Sequence, residues 1–200
     1  MTSLRHNTGP EREPRDSYLD AARECILDVG WRRTTLTEVA RRAGVSRMTI
    51  YRTWSDMQQL LGDLMTREWG AVVSEAVAAK DAEVEPVSQL VDEIVGTVRA
   101  LRDNELFVRI VELDPELLLP YLLSRRGRSQ DAILALTEQQ IRSAQKADAV
   151  RAGNPTAIAR TLLLAAHGFV LSAHTMVDDE VTEAELDAEL RLVLTRALAP

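Results

Sequence analysis

Residues 35–54 read TLTEVARRAGVSRMTIYRTW, which is the pattern of two short helices joined by a tight turn. The segment opens with a capping box, in which the Thr35 hydroxyl accepts from the backbone amide of Glu38 while the Glu38 side chain reaches back to the start of the helix. We therefore expect the first helix to begin at Leu36.

The turn that follows has signals of its own. Gly44 comes after the last periodic apolar residue, where a left-handed conformation costs a residue without Cβ little. Ser46 can cap a second helix over about 47–54, and Ile50 on that helix points back into the core. The outward face of the second helix is then Arg47, Met48, Thr49 and Arg52. Such an arrangement places a recognition helix in the major groove of DNA.

This segment and its surroundings resemble the amino-terminal domain of the tetracycline-repressor (TetR) family of bacterial transcription regulators. The resemblance covers residues 16–65 by motif and the rest of the chain by length and helical character alone. The matching positions lie in the preceding helix, the turn, the second helix and the start of the next helix. They are Ala21-Ala22, Ile26-Leu27, Gly30-Trp31, Val45-Ser46, Thr49-Ile50-Tyr51 and Trp54, followed by SDMQQLL with a serine cap.

Two positions depart from the family pattern. Members often have Gly where Met48 stands here, and Lys where Met57 stands. That Lys commonly contacts a phosphate at the start of the fourth helix. The first departure favours an apolar contact to a base, and the second removes one expected contact to the DNA backbone.

The resemblance implies a double-stranded operator with an inverted repeat, whose half-sites lie on one face about 34–36 Å apart. We expect Arg47, Met48 and Thr49 to contact bases, and the remaining polar residues mainly to position phosphates. The predicted DNA-binding residues are Thr35, Thr37, Ser46, Arg47, Met48, Thr49, Tyr51 and Arg52.

The charge distribution agrees with DNA binding although the net charge of the chain is −7. Residues 1–55 hold ten arginines and seven acidic residues, a net +3, whereas the remainder holds 14 basic and 24 acidic residues, a net −10. The positive field therefore lies where phosphates would be, and the acidic remainder should face away from DNA.

Length and composition indicate a soluble, cytoplasmic protein. Two hundred residues with 46% hydrophobic residues suffice for one small module and an ordinary core. We expect no membrane association, because no apolar run appears long enough to span a bilayer and the first residues lack a signal-peptide pattern. Cys25 has no disulfide partner within the chain, and a small buried hydrophobe is a commoner role for it than a redox sensor.

The chain is predicted to be all-α, with an amino-terminal three-helix helix-turn-helix domain and a larger helical domain for ligand binding and dimerisation. Turn and capping signals divide it into a flexible tail, a DNA-binding domain and a regulatory domain, which are residues 1–15, 16–55 and 56–200. Arg5, Arg12 and Arg15 of the tail could reach the minor groove, although a solvated tail is the commoner outcome. A capping box at Ser55 should open a long helix to about residue 80. Further helices are expected over about 86–102, 104–113, 124–149, 155–177 and from 182 onward.

The last two helices are the predicted dimer interface. The helix over 155–177 is apolar on nearly every face, so it needs partners on more than one side. Two such helices from each of two chains would form a four-helix interface, as the resemblance also implies; completing a monomeric core is the alternative. In the last helix the expected apolar stripe is Leu186, Leu190, Val193, Leu194 and Ala197, and the expected polar face is Asp187, Glu189 and Arg191.

The resemblance also implies an inducer pocket among the middle helices of the larger domain. A mostly apolar lining with an occasional His or Tyr suits a hydrophobic small molecule with one or two polar groups. Each lining position taken alone is more commonly a core position. The candidates are Trp69, Phe107, Ile110, Val111, Leu118, Tyr121, Leu122, Leu163, His167, Phe169 and His174.

No residue pattern indicates a metal, a cofactor or a catalytic site. His167 and His174 are seven residues apart, about 10.5 Å along a helix, which is too far for one metal ion. The acidic residues Glu112, Asp114 and Glu116 flank a helix break and are better explained as a solvated turn. A ligand-released dimeric repressor is therefore favoured over a dimeric regulator controlled by a protein partner or by its own abundance, and both are favoured over an enzyme.

Overall fold

The computed structural model describes residues 14–78 and 84–200, and this part of the chain is helical without strands. Its helices, in chain order, are α1 (Pro14–Val29), α2 (Leu36–Arg42), α3 (Arg47–Thr53), α4 (Met57–Ala78), α5 (Pro86–Arg102), α6 (Glu105–Leu113), α7 (Leu119–Leu123), α8 (Arg128–Lys146), α9 (Pro155–Ser172) and α10 (Glu183–Leu198). Single 3₁₀ turns cover Trp31–Arg33, Pro115–Leu117 and Ala173–Met176. The chain divides into two compact units between Leu64 and Met65, so α4 runs from the first unit into the second.

The first unit has a core formed by α1, α2 and α3. Ala22, Ile26, Val39 and Ile50 are fully buried or nearly so, and Trp54 after α3 is 1% exposed. Helix α2 packs against both α1 and α3. These apolar positions recur at helical spacing, which explains why three short helices of low individual stability form together.

Helix α1 begins earlier than the predicted domain boundary. Pro14 and Arg15 belong to its first turn and not to a tail, which agrees with the preference of proline for the first helical position. The rest of the predicted tail, with Arg5 and Arg12, lies outside the described residues.

Most of the predicted caps of the helix-turn-helix are confirmed. The Thr35 hydroxyl accepts from the Glu38 amide, Gly44 has φ of 68°, and the Ser46 hydroxyl accepts from the Thr49 amide. The reciprocal half of the first capping box differs, because the Glu38 carboxylate accepts from the Arg41 guanidinium instead. A cationic donor one helical turn away is a stronger partner for a carboxylate than a neutral backbone amide.

The cap of α4 is shifted by one residue from the prediction. The Asp56 carboxylate, not the Ser55 hydroxyl, accepts from the amide at the third helical position, that of Gln59, at 2.8 Å. In the other direction, the Ser55 backbone amide donates to the Gln59 side-chain oxygen at 3.2 Å. This amide hydrogen bond lowers the pKa of Asp56, since it stabilises the carboxylate.

The second unit is built around α5, which packs against α8, α9 and α10. Its bounds are those predicted, and Val91, Val95 and Val98 are at most 1% exposed. The predicted helix over 124–149 is shorter, because α8 begins only at Arg128 and ends at Lys146.

The last helix differs from its predicted polar and apolar faces. Asp187, expected on the polar face, is 3% exposed and bonds to Arg99 and Arg102 of α5. Leu190 and Leu194 are each 1% exposed within one chain. The predicted stripe is therefore split, because Leu190 and Leu194 complete the core of their own chain, Leu186 is half-buried, and Val193 and Ala197 are exposed. The large apolar residues that α10 leaves exposed are Leu192 and Val193.

Helix α9 ends at Ser172 and continues as the 3₁₀ turn Ala173–Met176. The stretch Pro155–Met176 is long and apolar enough to cross a membrane by length and composition, which corrects the expectation that no run reaches that length. It packs on α5 and α8 through residues such as Ile158 and Leu162, while Leu164 remains 70% exposed. One chain therefore leaves an apolar part of α9 uncovered.

Candidate nucleic-acid interface and effector site

Helix α3 presents the side chains predicted to contact bases. Arg47 and Arg52 are exposed, and Met48 and Tyr51 are 70% and 49% exposed. Ile50, on the opposite face, is fully buried and holds the helix to the core. Large polar and aromatic side chains that a single chain leaves in water are the groups that can reach base edges and phosphates.

Ser46 and Thr49 are linked to each other at the start of α3. Their hydroxyls lie 2.9 Å apart, and the Ser46 hydroxyl also accepts from the Thr49 amide. Thr49 is half-buried and Ser46 is exposed. Ser46 thus caps the helix and orients Thr49, which leaves Thr49 as the better placed of the two to contact a base.

The two predicted threonines of α2 lie at its amino terminus. Thr35 is exposed and caps the helix, and Thr37 in the first turn is half-buried. A phosphate contact by either threonine stays a prediction.

Both arginines of α2 are paired with nearby carboxylates. Arg41 pairs with Glu38, and Arg42 pairs with Asp28 at 2.5 Å. These pairs raise the pKa of both guanidinium groups through hydrogen bonds to the carboxylates. Arg47 and Arg52 are therefore better placed than Arg41 and Arg42 to neutralise phosphates.

A hydrogen-bond network absent from the sequence analysis holds the end of α3. The Trp54 indole N–H donates to the Asp63 carboxylate of α4 at 2.6 Å, and Arg15 of α1 pairs with the same carboxylate. The Arg15 guanidinium lies 5.7 Å from the Trp54 ring, and Tyr18 packs edge-on to that ring at 6.4 Å. One carboxylate thus links α1, the end of α3 and α4 within the first unit.

An open groove of about 570 Å³ lies between the first turns of α1 and one side of α3. It adjoins the predicted DNA-binding positions Thr49 and Arg52. Its remaining lining residues are Pro14, Arg15, Tyr18 and Thr53.

The predicted effector residues lie in the second unit at different depths. Trp69 of α4 and Phe107 of α6 meet edge to face with ring centres 5.6 Å apart. Leu122 and His174 are exposed in a single chain, so neither lines an enclosed space formed by that chain alone. The buried candidates are Phe107, Ile110 and Leu118, and the half-buried ones are Trp69, Val111, Tyr121, Leu163, His167 and Phe169.

Gln130 of α8 connects two of these candidates, a role that the sequence analysis missed. Its side-chain oxygen accepts from the Gly127 amide at 2.8 Å, which fixes the orientation of the side-chain amide. The Gln130 nitrogen then lies 3.3 Å from His167 Nε2 and 3.4 Å from the Tyr121 carbonyl oxygen. His167 Nε2 therefore accepts, and the neutral ring carries its proton on Nδ1. Burial lowers the pKa of His167, which favours the same neutral form.

Comparison with known proteins agrees with this geometry. Residues 19–64, which contain most of α1, the whole of α2 and α3 and the hydrogen bond from Trp54 to Asp63, match the family described as bacterial regulatory proteins, tetR family. An HTH-type transcriptional regulator of Mycobacterium tuberculosis is 34% identical over 172 residues, which are 86% of this chain and 87% of the relative. The chain belongs to the TetR family.

Solved structures of this fold cover both units of the chain. The fatty acid degradation regulator FadR from Bacillus halodurans has a TM-score of 0.67 at 17% identity, over 95% of this chain and 97% of FadR. The SmeT–triclosan complex has a TM-score of 0.64 at 24% identity, over 94% of this chain and 93% of SmeT. The chain is accordingly a TetR-family transcriptional regulator with an amino-terminal helix-turn-helix domain and a larger helical domain.

The two departures from the TetR pattern lie at different levels of exposure. Met48 is 70% exposed on the outward face of α3, where the expected apolar contact to a base is sterically open. Met57 is half-buried as the first residue of α4. A thioether at this position supplies no charge for a phosphate, which leaves that contact to other residues.

Proposed function

We propose that this TetR-family regulator is a cytoplasmic homodimeric repressor that binds an inverted-repeat operator and is released by a small hydrophobic ligand. The observation that supports DNA binding is the outward face of α3, where Arg47, Met48, Tyr51 and Arg52 are exposed. The helix that presents them is held at both ends. The Ser46 cap holds one end, and the hydrogen bond from Trp54 to Asp63 holds the other.

Footprinting and competition binding on genomic fragments test the operator. Arg47→Ala should relax sequence preference at particular positions by about 1–3 kcal/mol, because a base contact is lost. Tyr51→Phe should weaken all sites more evenly, because a phosphate contact is lost. Arg41→Ala is the matched control, since Arg41 is already paired with Glu38. A folded dimer without any salt-sensitive protected site would contradict the proposal.

The proposed dimer interface consists of the exposed apolar residues of the last two helices. Leu164 of α9 is 70% exposed, and Leu192 and Val193 of α10 are 47% and 57% exposed. Exposed apolar area of this kind is usually covered by a partner. Val193→Glu should therefore give a folded monomer in sedimentation experiments, because it buries an unpaired carboxylate only in the dimer.

Leu194→Glu, at the adjacent position, is the contrasting variant. Leu194 is 1% exposed within its own chain, so a charge there should unfold the protein and not merely separate two protomers. Val193→Glu that remains dimeric at micromolar concentration would exclude this face as the interface.

The proposed effector binds beside Trp69, Phe107, Tyr121 and His167 in the second unit. These residues combine aromatic surface with one imidazole N–H, which suits an apolar ligand with a single hydrogen-bond acceptor. The complex of SmeT with triclosan supports a ligand of this kind, since SmeT has the same fold. Triclosan is therefore a sensible first probe in thermal-shift and tryptophan-fluorescence titrations, followed by fatty acids.

Release of DNA would follow from displacement of α4. Trp69 on this helix contacts Phe107 of α6, and Asp63 on the same helix bonds to Trp54 at the end of α3. A ligand that moves Trp69 would shift a continuous helix whose other end positions the recognition helix. The two recognition helices of a dimer would then no longer fit successive major grooves.

Reciprocity tests this mechanism. A coupling of about 1–3 kcal/mol would lower operator affinity about 5- to 150-fold, and operator DNA must weaken ligand binding by the same factor. Calorimetry on free and DNA-bound protein measures both. Equal ligand affinities in the two states would exclude release by that ligand and favour control by a protein partner or by abundance.

A further inference from the structure

The corner between α7 and α8 carries an exposed apolar patch that is followed, after Ser124, by positive charge. We call residues 119–126 the basic corner. Leu123 is 78% exposed and Leu122 is 40% exposed. Large apolar side chains grouped this openly at the surface usually mark an interaction site.

Two arginines complete the basic corner. Arg125 is exposed, and its guanidinium lies 5.1 Å from the centre of the Tyr121 ring, which orients it. Arg126 pairs with Asp131 at 2.6 Å, but both side chains are more than half exposed. An exposed pair of this kind is weak and can be exchanged for another partner.

The segment after α9 has the opposite charge beside similar apolar residues. We call residues 174–180 the acidic turn. Met176 is 63% exposed and Val177 is 37% exposed, and Asp178, Asp179 and Glu180 follow them directly. Both segments therefore have exposed apolar residues followed by charged ones, and the charge is positive in the basic corner and negative in the acidic turn.

The acidic turn has a defined backbone and available carboxylates. The Asp178 carboxylate accepts from the amides of Glu180 and Val181 at 2.8 and 3.0 Å, which fixes the turn. Within the part of the chain that the structure describes, the carboxylates of Asp179 and Glu180 make no hydrogen bond or ion pair. They are therefore available to a partner.

Both segments lie toward the same end of the second unit. The hydrogen bond between Gln130 and His167 places the start of α8 beside the carboxyl-terminal half of α9. The acidic turn follows α9 directly, and Met176 is about 14 Å beyond His167 at the rise of a helix. The two segments of opposite charge thus follow or precede the same end of the packed α8 and α9 pair.

We propose that, in the homodimer, the acidic turn of one protomer docks on the basic corner of the other. Met176 and Val177 cover Leu122 and Leu123, and the carboxylates of the acidic turn pair with the arginines of the basic corner. A two-fold dimer makes this contact twice, because each protomer carries both segments. The inference rests on the proposed dimer and specifies a second contact in addition to the α9 and α10 face.

The docking also accounts for two residues that one chain leaves exposed. Leu122 and His174 were predicted to line the effector site, and each lies in one of the two complementary segments. Beneath the basic corner, the Tyr121 carbonyl is joined through Gln130 to His167. In this docking the partner's acidic turn lies beside the proposed effector site.

Charge reversal tests the contact by sedimentation equilibrium of the full chain in about 50 mM salt, where exposed ion pairs are least screened. Arg125→Glu with Arg126→Glu should raise the dimer dissociation constant at least tenfold, and Asp179→Arg with Glu180→Arg should do the same. Combining all four substitutions restores the opposite charges and should return the constant to within about threefold of wild type. The matched control is Arg142→Glu with Lys146→Glu, near the far end of α8, which should change it less than threefold.

Cysteine crosslinking provides a measurement that does not depend on charge. Cys25, the one cysteine of the chain, is fully buried, so new surface cysteines can be oxidised selectively. A mixture of Leu123→Cys and Met176→Cys proteins should form a covalent dimer in far higher yield than either protein alone. A dimeric wild type that shows neither the charge rescue nor this crosslink would overturn the docking and leave the dimer intact, whereas a monomeric wild type would overturn the dimer itself.

Discussion

Asp187 should be one of the most sensitive positions for the stability of the second unit. Its side chain is 4% exposed and accepts from Arg99 at 2.6 Å and from Arg102 at 2.8 Å. Arg102 is itself 9% exposed, whereas Arg99 is 51% exposed. Removing the carboxylate would therefore leave one buried guanidinium without its main counter-ion.

The magnitude follows from the two arginines separately. The half-exposed pair with Arg99 is worth about 0–1 kcal/mol, because water can replace it. Removing one partner of a buried pair costs about 3–5 kcal/mol, because the other charge remains desolvated. Glu183, 3.9 Å from the Arg102 guanidinium but 51% exposed, compensates little. We expect Asp187→Ala to lower the free energy of unfolding by about 3 kcal/mol.

Urea unfolding at a fixed protein concentration measures the effect, since dimer formation would make stability depend on concentration. Arg99→Ala is the control and should cost less than about 1 kcal/mol. Replacing both buried partners, Asp187→Leu with Arg102→Met, should recover most of the lost stability, because no uncompensated charge remains. An Asp187→Ala protein within about 0.5 kcal/mol of wild type would show that Arg102 finds another partner and would refute this reasoning.

Three further predictions concern single residues in the two units. Burial lowers the pKa of His167 in the folded state, so the unfolded chain takes up a proton on this ring first as the pH falls. The stabilisation that depends on the neutral ring should be complete above about pH 6.5 and be lost as the pH drops toward the folded pKa. His167→Leu should make the free energy of unfolding by urea less dependent on pH between about 5 and 7.5. Trp54→Phe removes the donor to the Asp63 carboxylate and should cost about 1.5–3 kcal/mol in thermal or urea unfolding, with a loss of operator affinity at temperatures where the protein stays folded. Gly44→Ala should cost about 1–2 kcal/mol from its positive φ of 68° alone, since an added Cβ would meet no atom within 4 Å; an unchanged melting temperature would contradict that explanation.

Helix ends and the recognition helix follow from short stretches of sequence. The caps at Ser46, Asn154 and Thr182 join residues no more than three positions apart, so the local pattern contains both partners of each bond. The face of α3 predicted to contact DNA is likewise one contiguous segment. Its burial pattern depends on a helical period that is visible in the sequence, which is why Ile50 could be placed in the core and Arg47 on the surface.

The Asp56 cap shows where local reasoning is limited even over a few residues. Ser55 and Asp56 are both good capping residues, and Gln58 and Gln59 can both reach back. The two registers differ by a small energy that composition does not reveal. The stronger acceptor, the carboxylate, caps the helix in the structure.

Contacts between distant residues were decided by the tertiary structure. Asp187 lies 88 positions from Arg99, and Gln130 lies 37 positions from His167. No periodic pattern relates such residues, because a helix shows only which of its faces is apolar and not which neighbour covers that face. Leu194 is therefore packed within its own chain while the adjacent Val193 remains exposed, a difference that arises from how α10 lies against α5.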